Sequence, residues 1–174
     1  RVKALGAQAQ GELTEEFARI DAIAQENAAR VLSAFQEHRV ADGYFAGTTG
    51  YGYDDLGRDK LDEIYADLFG TEAALVRIQF VNGTHAIACA LFGALKAGDV
   101  LLSAVGAPYD TLLGVVGAVN KGPGSLKDYG VEYRQVELRD NKPDLEGIRK
   151  AASDPRVKAV LIQRSKGYST RDSL

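Results

Sequence analysis

The chain has very few of the residues that build metal centres and disulfide frameworks. Its 174 residues include one cysteine, two histidines, no methionine and no tryptophan. The single thiol, Cys89, excludes an internal disulfide and fits a reducing, cytoplasmic setting. Two histidines and one cysteine also give no cluster at metal-ligand spacing, so we expect no metal site. Cys89 lies in an apolar helical pattern, and we interpret it as a buried core thiol.

Basic patches and long apolar runs are missing too. The formal net charge is -3 and the two signs are interspersed, which offers no basic footprint for nucleic acid. The longest apolar runs, such as residues 100–107, are far too short to span a bilayer. The length of 174 residues is enough for one domain with a real core, and 45% hydrophobic residues is an ordinary value for a soluble globular protein.

Several sequence signatures are also missing. There is no G-x-x-x-x-G-K-[ST] segment, which excludes a P-loop, and the serines lack the G-x-S-x-G context of hydrolases. Gly47, Gly50 and Gly52 do not form G-x-G-x-x-G after a strand, which weighs against a Rossmann-like nucleotide-binding domain. Methionine is absent even from the first position, and the chain stops just after an apolar segment and a turn. We therefore expect both ends to be cut.

Apolar spacing predicts two helices in the N-terminal part of the chain. Over residues 12–38 the apolar side chains fall near one face and most charged side chains fall off it. Residues 58–69 carry apolar side chains at positions i, i+3, i+4 and i+7, and Gly70 suits a C-cap. Between the two helices, residues 43–57 form a loop rich in glycine and tyrosine.

Strands and helices alternate in the remainder. The pattern predicts strands at residues 73–78, 100–103, 131–138 and 157–163, and helices at residues 84–96, 109–119 and 145–152, the last with Asp144 as its N-cap. Buried strands separated by helices indicate an α/β fold with a mostly parallel sheet and helices on both faces. Ligands bind beyond the carboxyl ends of such strands, so we expect the site in the loops after Ile78, Ser103 and Gln163.

The most informative turn is the one inside residues 80–87. This segment reads as a buried strand that ends in a Gly-Thr turn and opens directly into a helix. A helix N-terminus exposes backbone N–H groups and carries partial positive charge. Gly83 lets the backbone approach a ligand closely and the Thr84 hydroxyl adds a donor, a combination that suits a phosphate. The alternative is an ordinary strand-to-helix turn with a threonine cap.

Other loops carry aromatic and basic side chains. Tyr109 follows a strand and starts a helix, where its ring could stack on a flat ligand or simply pack on the domain surface. Tyr51, Tyr53 and Arg58 lie on the glycine-rich loop. Phenols and guanidinium groups suit phosphate or carboxylate, and the alternative is a turn with solvated charges. Residues 163–168 form the third loop.

Four of these segments together resemble a known family, the bacterial aluminium-resistance proteins. They are residues 50–59, 79–86, 108–112 and 162–169. The family is also described as methionine gamma-lyase-like or cystathionine beta-lyase-like, and it belongs to the pyridoxal-phosphate enzymes with the aspartate-aminotransferase fold. The resemblance runs over nearly the whole chain and keeps its order, and it implies pyridoxal 5'-phosphate as the cofactor.

The resemblance also implies roles for matching residues. In the related sulfur amino acid lyases the loop matching Gly83 and Thr84 holds the cofactor phosphate through backbone amides. The tyrosine matching Tyr109 stacks on the pyridine ring. His85 follows the phosphate turn, and it either faces the cofactor or caps the helix.

The glycine-rich loop and the last segment complete the implied cofactor site. The loop matching Tyr51 to Arg58 reaches the neighbouring subunit's phosphate, which implies a homo-oligomer with sites shared between subunits. The related lyases carry Tyr-x-Arg, whereas this chain has a second tyrosine, Tyr53, in place of the arginine. Which of these three side chains contacts phosphate is therefore open. Arg164 and Ser165, in the last segment, are assigned to the same site.

The reaction implied by the resemblance needs residues that this chain does not supply. The family's Schiff-base lysine and the acidic partner of the pyridine nitrogen lie C-terminal to this segment, so the catalytic residues are unknown here. Lys166 follows a candidate site strand, and we interpret it as a solvated charge. We expect three parts, a helical segment over residues 1–42, a loop and helix over 43–70, and the first, incomplete part of the large domain over 71–174.

The expected function is that of a pyridoxal-phosphate-dependent carbon–sulfur lyase when full length. Its substrate would be a small sulfur-containing amino acid. The alternative is a non-catalytic protein of the same fold that serves in metal stress or regulation.

Overall fold

The computed structural model describes residues 1–49, 51, 53, 55–168, 170–171 and 173–174. Three residues of the first resembling segment, Gly50, Gly52 and Asp54, lie outside the described residues, as do Ser169 and Asp172. The chain divides into two compact units, Arg1–Ile78 and Gln79–Leu174. Over the described part of the chain, no helix combines the length and the apolar character needed to cross a membrane.

The first unit is helical. It contains α1 (Val2–Glu12), α2 (Thr14–Glu37), a short 3-10 helix (Asp42–Phe45) and α3 (Leu56–Phe69). Helices α2 and α3 confirm the helices expected over residues 12–38 and 58–69. The sequence prediction missed α1, and none of the side chains of this helix is buried.

Local side-chain chemistry fixes both ends of α3. The Asp55 carboxylate accepts a hydrogen bond from the Arg58 backbone N–H at 3.0 Å, which caps the N-terminus. Gly70 ends the helix in the left-handed conformation, with φ 62°, as predicted. Gly57 has no room for a side chain, because a Cβ there would lie 2.1 Å from the Tyr44 carbonyl oxygen. The 3-10 helix therefore packs directly against the first turn of α3.

The strand expected over residues 73–78 does not form, so that prediction is wrong. The backbone N–H of Val76 donates to the Asp62 carboxylate at 2.8 Å, and Arg77 Nη1 reaches the same oxygen at 2.7 Å. These contacts hold the segment against α3. The continuation toward residue 80 is not a buried strand either, since Ile78 is 96% exposed and Val81 is 80% exposed. An apolar run becomes a strand only where a neighbouring strand pairs with it, and the described residues offer this segment none.

The second unit is an α/β arrangement. Its elements are α4 (Gly83–Ala94), β1 (Val100–Ser103), α5 (Asp110–Val116), β2 (Glu132–Gln135), β3 (Leu138–Arg139), β4 (Lys142–Pro143), α6 (Leu145–Ala152) and β5 (Val157–Leu161). Strands β2, β1 and β5 form a parallel sheet in that order. Strand β1 is central and all four of its residues are buried. The prediction of a parallel sheet with intervening helices is confirmed at this level.

Two details of the predicted strands are wrong. The single strand expected over residues 131–138 divides into β2 and the first strand of a small β3–β4 hairpin. The hairpin turn is Asp140-Asn141, and both residues have positive φ, at 51° and 60°, as a tight two-residue turn requires. Strand β5 is not buried throughout. It lies at the edge of the sheet among the described residues, and its residues alternate between half-buried and exposed.

The core of this unit forms where helices cover β1. Its members are Leu91, Leu95, Leu101, Val116, Leu126 and Val131.

Cys89 is exposed, so its expected burial is wrong. It lies two positions before the buried Leu91, about 200° around the helix, on a different face. Helix α4 is apolar nearly all round, and its sequence therefore does not show which face is buried.

A charged network links β2 to the start of β5. Asp154 accepts from Arg134 at 2.9 Å and from the side chain of Arg156 at 2.8 Å, and Arg156 also contacts Glu132 at 3.0 Å. The hydrogen bond from the Arg156 side chain, followed by the one from its backbone N–H, holds the pKa of Asp154 well below its usual range. The network joins the two strands that flank β1.

We expect Asp154 to contribute to the acid sensitivity of the fold. Because its folded pKa lies below the unfolded value of about 3.9, its stabilising contribution is complete above that pH and is lost as the pH falls through the folded pKa. Asp154→Asn should lower the free energy of unfolding at pH 7 and flatten its decline below pH ~4. Urea titrations at pH 7 and below pH ~4 measure the free energy of unfolding, and Asp140→Asn in the exposed turn is the control. An identical decline in wild type and Asp154→Asn would contradict the assignment.

Candidate functional site

The backbone at the start of α4 is accessible on one side, as the sequence suggests. The N-cap is Asn82, whose side chain accepts from the His85 backbone N–H at 2.9 Å, and the helix begins at Gly83. The cap is therefore asparagine, and Thr84 is free for other contacts. A Cβ built on Gly83 would have no atom within 4 Å. The first turn of α4 thus faces open space on this side.

His85 takes part in the same local cap. Its Nδ1 accepts a hydrogen bond from the Val81 backbone N–H at 3.2 Å. Its ring meets the edge of Phe80, with the ring centroids 5.9 Å apart. The sequence leaves two roles open for His85, facing a cofactor or capping the helix. Its contacts in the structure fit the capping role.

Polar contacts bring three separate loops together at one edge of the parallel sheet. The Thr84 and Thr111 hydroxyl oxygens lie 2.7 Å apart and join the first turns of α4 and α5. The backbone N–H of Tyr109, the N-cap residue of α5, donates to Gln163 Oε1 at 2.7 Å. The Gln163 side chain also donates to the Ser165 carbonyl oxygen at 3.1 Å. These bonds connect the loops before α4, after β1 and after β5.

Tyr109 is fixed by the loop after β5. Its ring centroid lies 5.6 Å from that of Tyr168, with the planes tilted by 33°. Gly167 has φ 57°, and a Cβ on it would lie 2.6 Å from Tyr109 Cδ2. Only a glycine allows the backbone to pass so close to the ring. Hydrogen bonding to the Tyr168 phenol, reinforced by partial burial, raises the pKa of the Tyr109 hydroxyl above its ordinary value.

A cavity of about 560 Å³ opens beside Tyr109. Its walls come from the loops that follow β1, β2 and β5, and they include Gly106, Tyr109, Asp110, Glu137, Asn141, Gln163, Lys166, Gly167, Tyr168 and Arg171. The cavity therefore lies at the carboxyl ends of the parallel strands, and it includes the loops after Ser103 and Gln163 in which we expect a ligand site from the sequence. It has the size of a small-molecule site.

Arg164 and Ser165 do not line this cavity. Both are exposed, and their carbonyl oxygens shape the turn: that of Arg164 accepts from the Leu174 backbone N–H, and that of Ser165 accepts from Arg171 Nη2 at 3.2 Å. The residues around them, Gln163 and Lys166 to Tyr168, form the wall instead. Lys166 is exposed, as expected for a solvated charge, yet it lines the cavity.

The side chains of the glycine-rich loop belong to the first unit. Tyr51 is 84% exposed and Tyr53 is 85% exposed. Arg58 is mostly buried, and its Nε lies 3.9 Å from the Asp55 carboxylate. The Arg58 backbone N–H, followed by the Thr48 hydroxyl, lowers the pKa of that carboxyl. The two tyrosines are thus presented outward, whereas Arg58 lies mostly buried beside Asp55 and its Nε has no hydrogen-bond partner among the described residues.

Comparison with known proteins places the chain in a family. The sequence model of the methionine gamma-lyase family matches residues 2–174. The chain belongs to the methionine gamma-lyase family. The uncharacterized protein YnbB of Bacillus subtilis is 51% identical over 156 residues, which are 88% of this chain and 37% of that protein.

Solved structures of similar proteins share the fold. A Clostridium acetobutylicum protein, whose name proposes a cystathionine beta-lyase involved in aluminium resistance, is 46% identical with a TM-score of 0.93 over 100% of this chain and 42% of its own. A carbon–sulfur lyase involved in aluminium resistance from Clostridium novyi NT is 47% identical with a TM-score of 0.88, over 95% and 40%. This chain therefore spans about two fifths of the length of these relatives.

The family member described here has cavity residues that sequence reasoning missed. Gln163, Gly167, Tyr168 and Arg171 were not named as site residues from the sequence, although all belong to or follow the third expected loop. The position of this loop, directly after the last parallel strand, was the sequence signal that could have identified these residues as part of a site. What the sequence could not show was which side chains turn toward Tyr109, because that depends on the left-handed conformation at Gly167.

We expect Gly167→Ala to displace the Tyr109 ring. The added Cβ would overlap the ring and would also occupy a left-handed conformation, so the free energy of unfolding should fall by about 2–3 kcal/mol. Gly70→Ala is the matched control, because Gly70 has φ 62° and no atom within 4 Å of a Cβ. It should lose only the conformational part, about 1 kcal/mol. NMR shifts of the Tyr109 ring that match wild type in Gly167→Ala would contradict this packing.

Proposed function

We propose that this chain provides the phosphate-facing and ring-facing parts of a pyridoxal-phosphate-dependent carbon–sulfur lyase. The substrate class is a sulfur-containing amino acid. The observation that carries the proposal is the meeting of the open α4 N-terminus, the Thr84–Thr111 hydroxyl pair and Tyr109 at one edge of the sheet. Family membership and the name of the Clostridium novyi relative support the reaction class.

The residues present fit the phosphate of this cofactor. The first turn of α4 offers backbone N–H groups and the positive end of the helix dipole. The space beside Gly83, where a Cβ would meet nothing within 4 Å, leaves room for phosphate oxygens to approach the backbone. The Thr84 and Thr111 hydroxyls add donors at the same place. We assign these groups to phosphate binding.

Tyr109 fits the ring of the cofactor. Its side chain offers an aromatic face next to a cavity, and its backbone is held by Gln163. When bound, the cofactor supplies the electron sink that this class of reaction needs at the substrate's alpha carbon. The chain's own residues bind and orient it. The parallel sheet described here would then be part of an aspartate-aminotransferase-like domain.

The remaining parts of the site are proposed to come from elsewhere. We infer that the lysine and the acid that act on the cofactor lie outside this chain, and its span of about two fifths of its relatives' length supports this proposal. The exposed Tyr51 and Tyr53 are proposed to reach the phosphate site of a partner subunit in a homo-oligomer. Arg58 is the third candidate, since it lies mostly buried beside Asp55 and its Nε has no hydrogen-bond partner among the described residues.

Turnover of the full-length protein tests the reaction. With pyridoxal phosphate and a thioether amino acid, we expect water to be consumed and a 2-keto acid, ammonia and a thiol to be released in equal amounts. Colorimetric thiol, keto acid and ammonia assays measure these products. A protein that binds the cofactor and releases no thiol from any sulfur amino acid would instead be a non-catalytic member of the fold.

The role of Gly83 is tested separately from turnover. In the full-length protein, Gly83→Ala places a methyl group in the proposed phosphate space, and we expect the affinity for pyridoxal phosphate to fall about tenfold or more. Gly93→Ala in the same helix is the matched control, because a Cβ there also meets nothing within 4 Å. Both variants should fold as wild type by circular dichroism. Equal affinities in the two variants would refute the phosphate assignment.

A further inference from the structure

Two aromatic rings cover one another at the wall of the cavity beside Tyr109. The centroids of the Tyr109 and Tyr168 rings are 5.6 Å apart and their planes are tilted by 33°, an arrangement within the favourable range for aromatic pairs. Both side chains line the cavity. A flat ligand between two rings needs them about 7 Å apart, because each pair of stacked carbon layers is separated by about 3.5 Å. These two rings therefore leave no space for a third ring between them.

The Tyr168 side chain is only lightly held. It is 85% exposed, whereas Tyr109 is half-buried. A hydrogen bond between the two side chains, which is the main cause of the raised pKa of Tyr109, adds to the contact between the rings. Most of the Tyr168 ring is therefore in contact with water, and Tyr109 is the aromatic partner that holds it at the cavity wall.

Hydrogen bonds fix the base of the loop that carries Tyr168 without using its side chain. The Arg164 carbonyl oxygen accepts from the Leu174 backbone N–H at 3.1 Å. The Ser165 carbonyl oxygen accepts from the Gln163 side chain, also at 3.1 Å. The residue directly before Tyr168 is a glycine with φ 57°, and glycine tolerates a wide range of backbone angles. The Tyr168 ring can therefore turn away from its aromatic partner while the base of the loop stays bonded.

We propose that Tyr168 is an internal competitor for the face of Tyr109 that takes the cofactor ring. The inference deepens the proposed function and rests on it, because that function assigns Tyr109 to the ring of pyridoxal phosphate. The Tyr168 ring has to leave before the cofactor ring stacks there. The apparent affinity for the cofactor is then lowered by the fraction of molecules in which Tyr109 is uncovered. An aromatic pair of this kind sets that fraction at about one third to one tenth.

Binding of pyridoxal phosphate to the full-length protein, prepared without cofactor, tests this competition. Tyr168→Ala removes the competing ring, so the cofactor should bind about three- to tenfold more tightly and associate faster. Tyr168→Phe keeps the ring and should stay close to wild type. Tyr129→Ala is the matched control, because Tyr129 is an exposed tyrosine outside the cavity whose ring centroid lies 5.5 Å from that of Phe92. Equilibrium and stopped-flow titrations followed by cofactor absorbance measure the affinity and the association rate.

The outcomes separate this inference from the proposed function. An affinity in Tyr168→Ala that equals wild type would overturn the inference, and a weaker affinity would overturn it too, because Tyr168 would then help to hold the cofactor. Both results leave the cofactor assignment standing, since the cofactor still binds. If pyridoxal phosphate binds neither wild type nor Tyr168→Ala, the proposed function fails and the inference fails with it. Circular dichroism of each variant verifies that a change in affinity is not a loss of fold.

Discussion

The pairing of β1 with a parallel neighbour on each side is the constraint on which the second unit depends. Strand β1 is fully buried and its backbone bonds run to β2 and β5. Parallel pairing makes all three strands end at the same edge, so the chain must leave each strand on that side. The loops that follow them meet there because of the strand direction, and the core of leucine and valine side chains around β1 keeps that direction fixed.

A few polar contacts turn the meeting loops into a defined surface. The Thr84–Thr111 contact and the Tyr109–Gln163 bond each connect residues far apart in sequence, and each contributes about 1 kcal/mol in a typical protein. Glycine at Gly106 and Gly167 allows backbone conformations that bring Glu137 and Tyr109 into place. The resulting surface combines an accessible helix start, an aromatic face and a charged cavity, which are features that the proposed phosphorylated aromatic cofactor and amino acid substrate would require.

Features set by local sequence were predictable, whereas those that need a distant partner were not. Nearby residues determine several features that were predicted: helices α2 and α3, the Gly70 cap, the Asp144 cap and β1. The prediction of a strand over residues 73–78 was wrong because strand formation depends on pairing. The prediction that Cys89 is buried was wrong because the sequence of a helix that is apolar nearly all round does not show which face is buried. At the candidate site, Gly83, Thr84 and Tyr109 were named from their loops and their roles stay predictions. That Lys166 and its neighbours line the cavity was not predicted, since only the fold shows what they face.

The central claim is that the edge formed by α4 and the loop after β1 holds the cofactor. A crystal structure of the full-length protein grown with pyridoxal phosphate tests it most directly. Our account predicts electron density for the phosphate within hydrogen-bond distance of the Gly83 and Thr84 backbone N–H groups and for the pyridine ring stacked on Tyr109. Phosphate density at another place, with Tyr109 still packed against Tyr168 and no ring over it, would contradict the account.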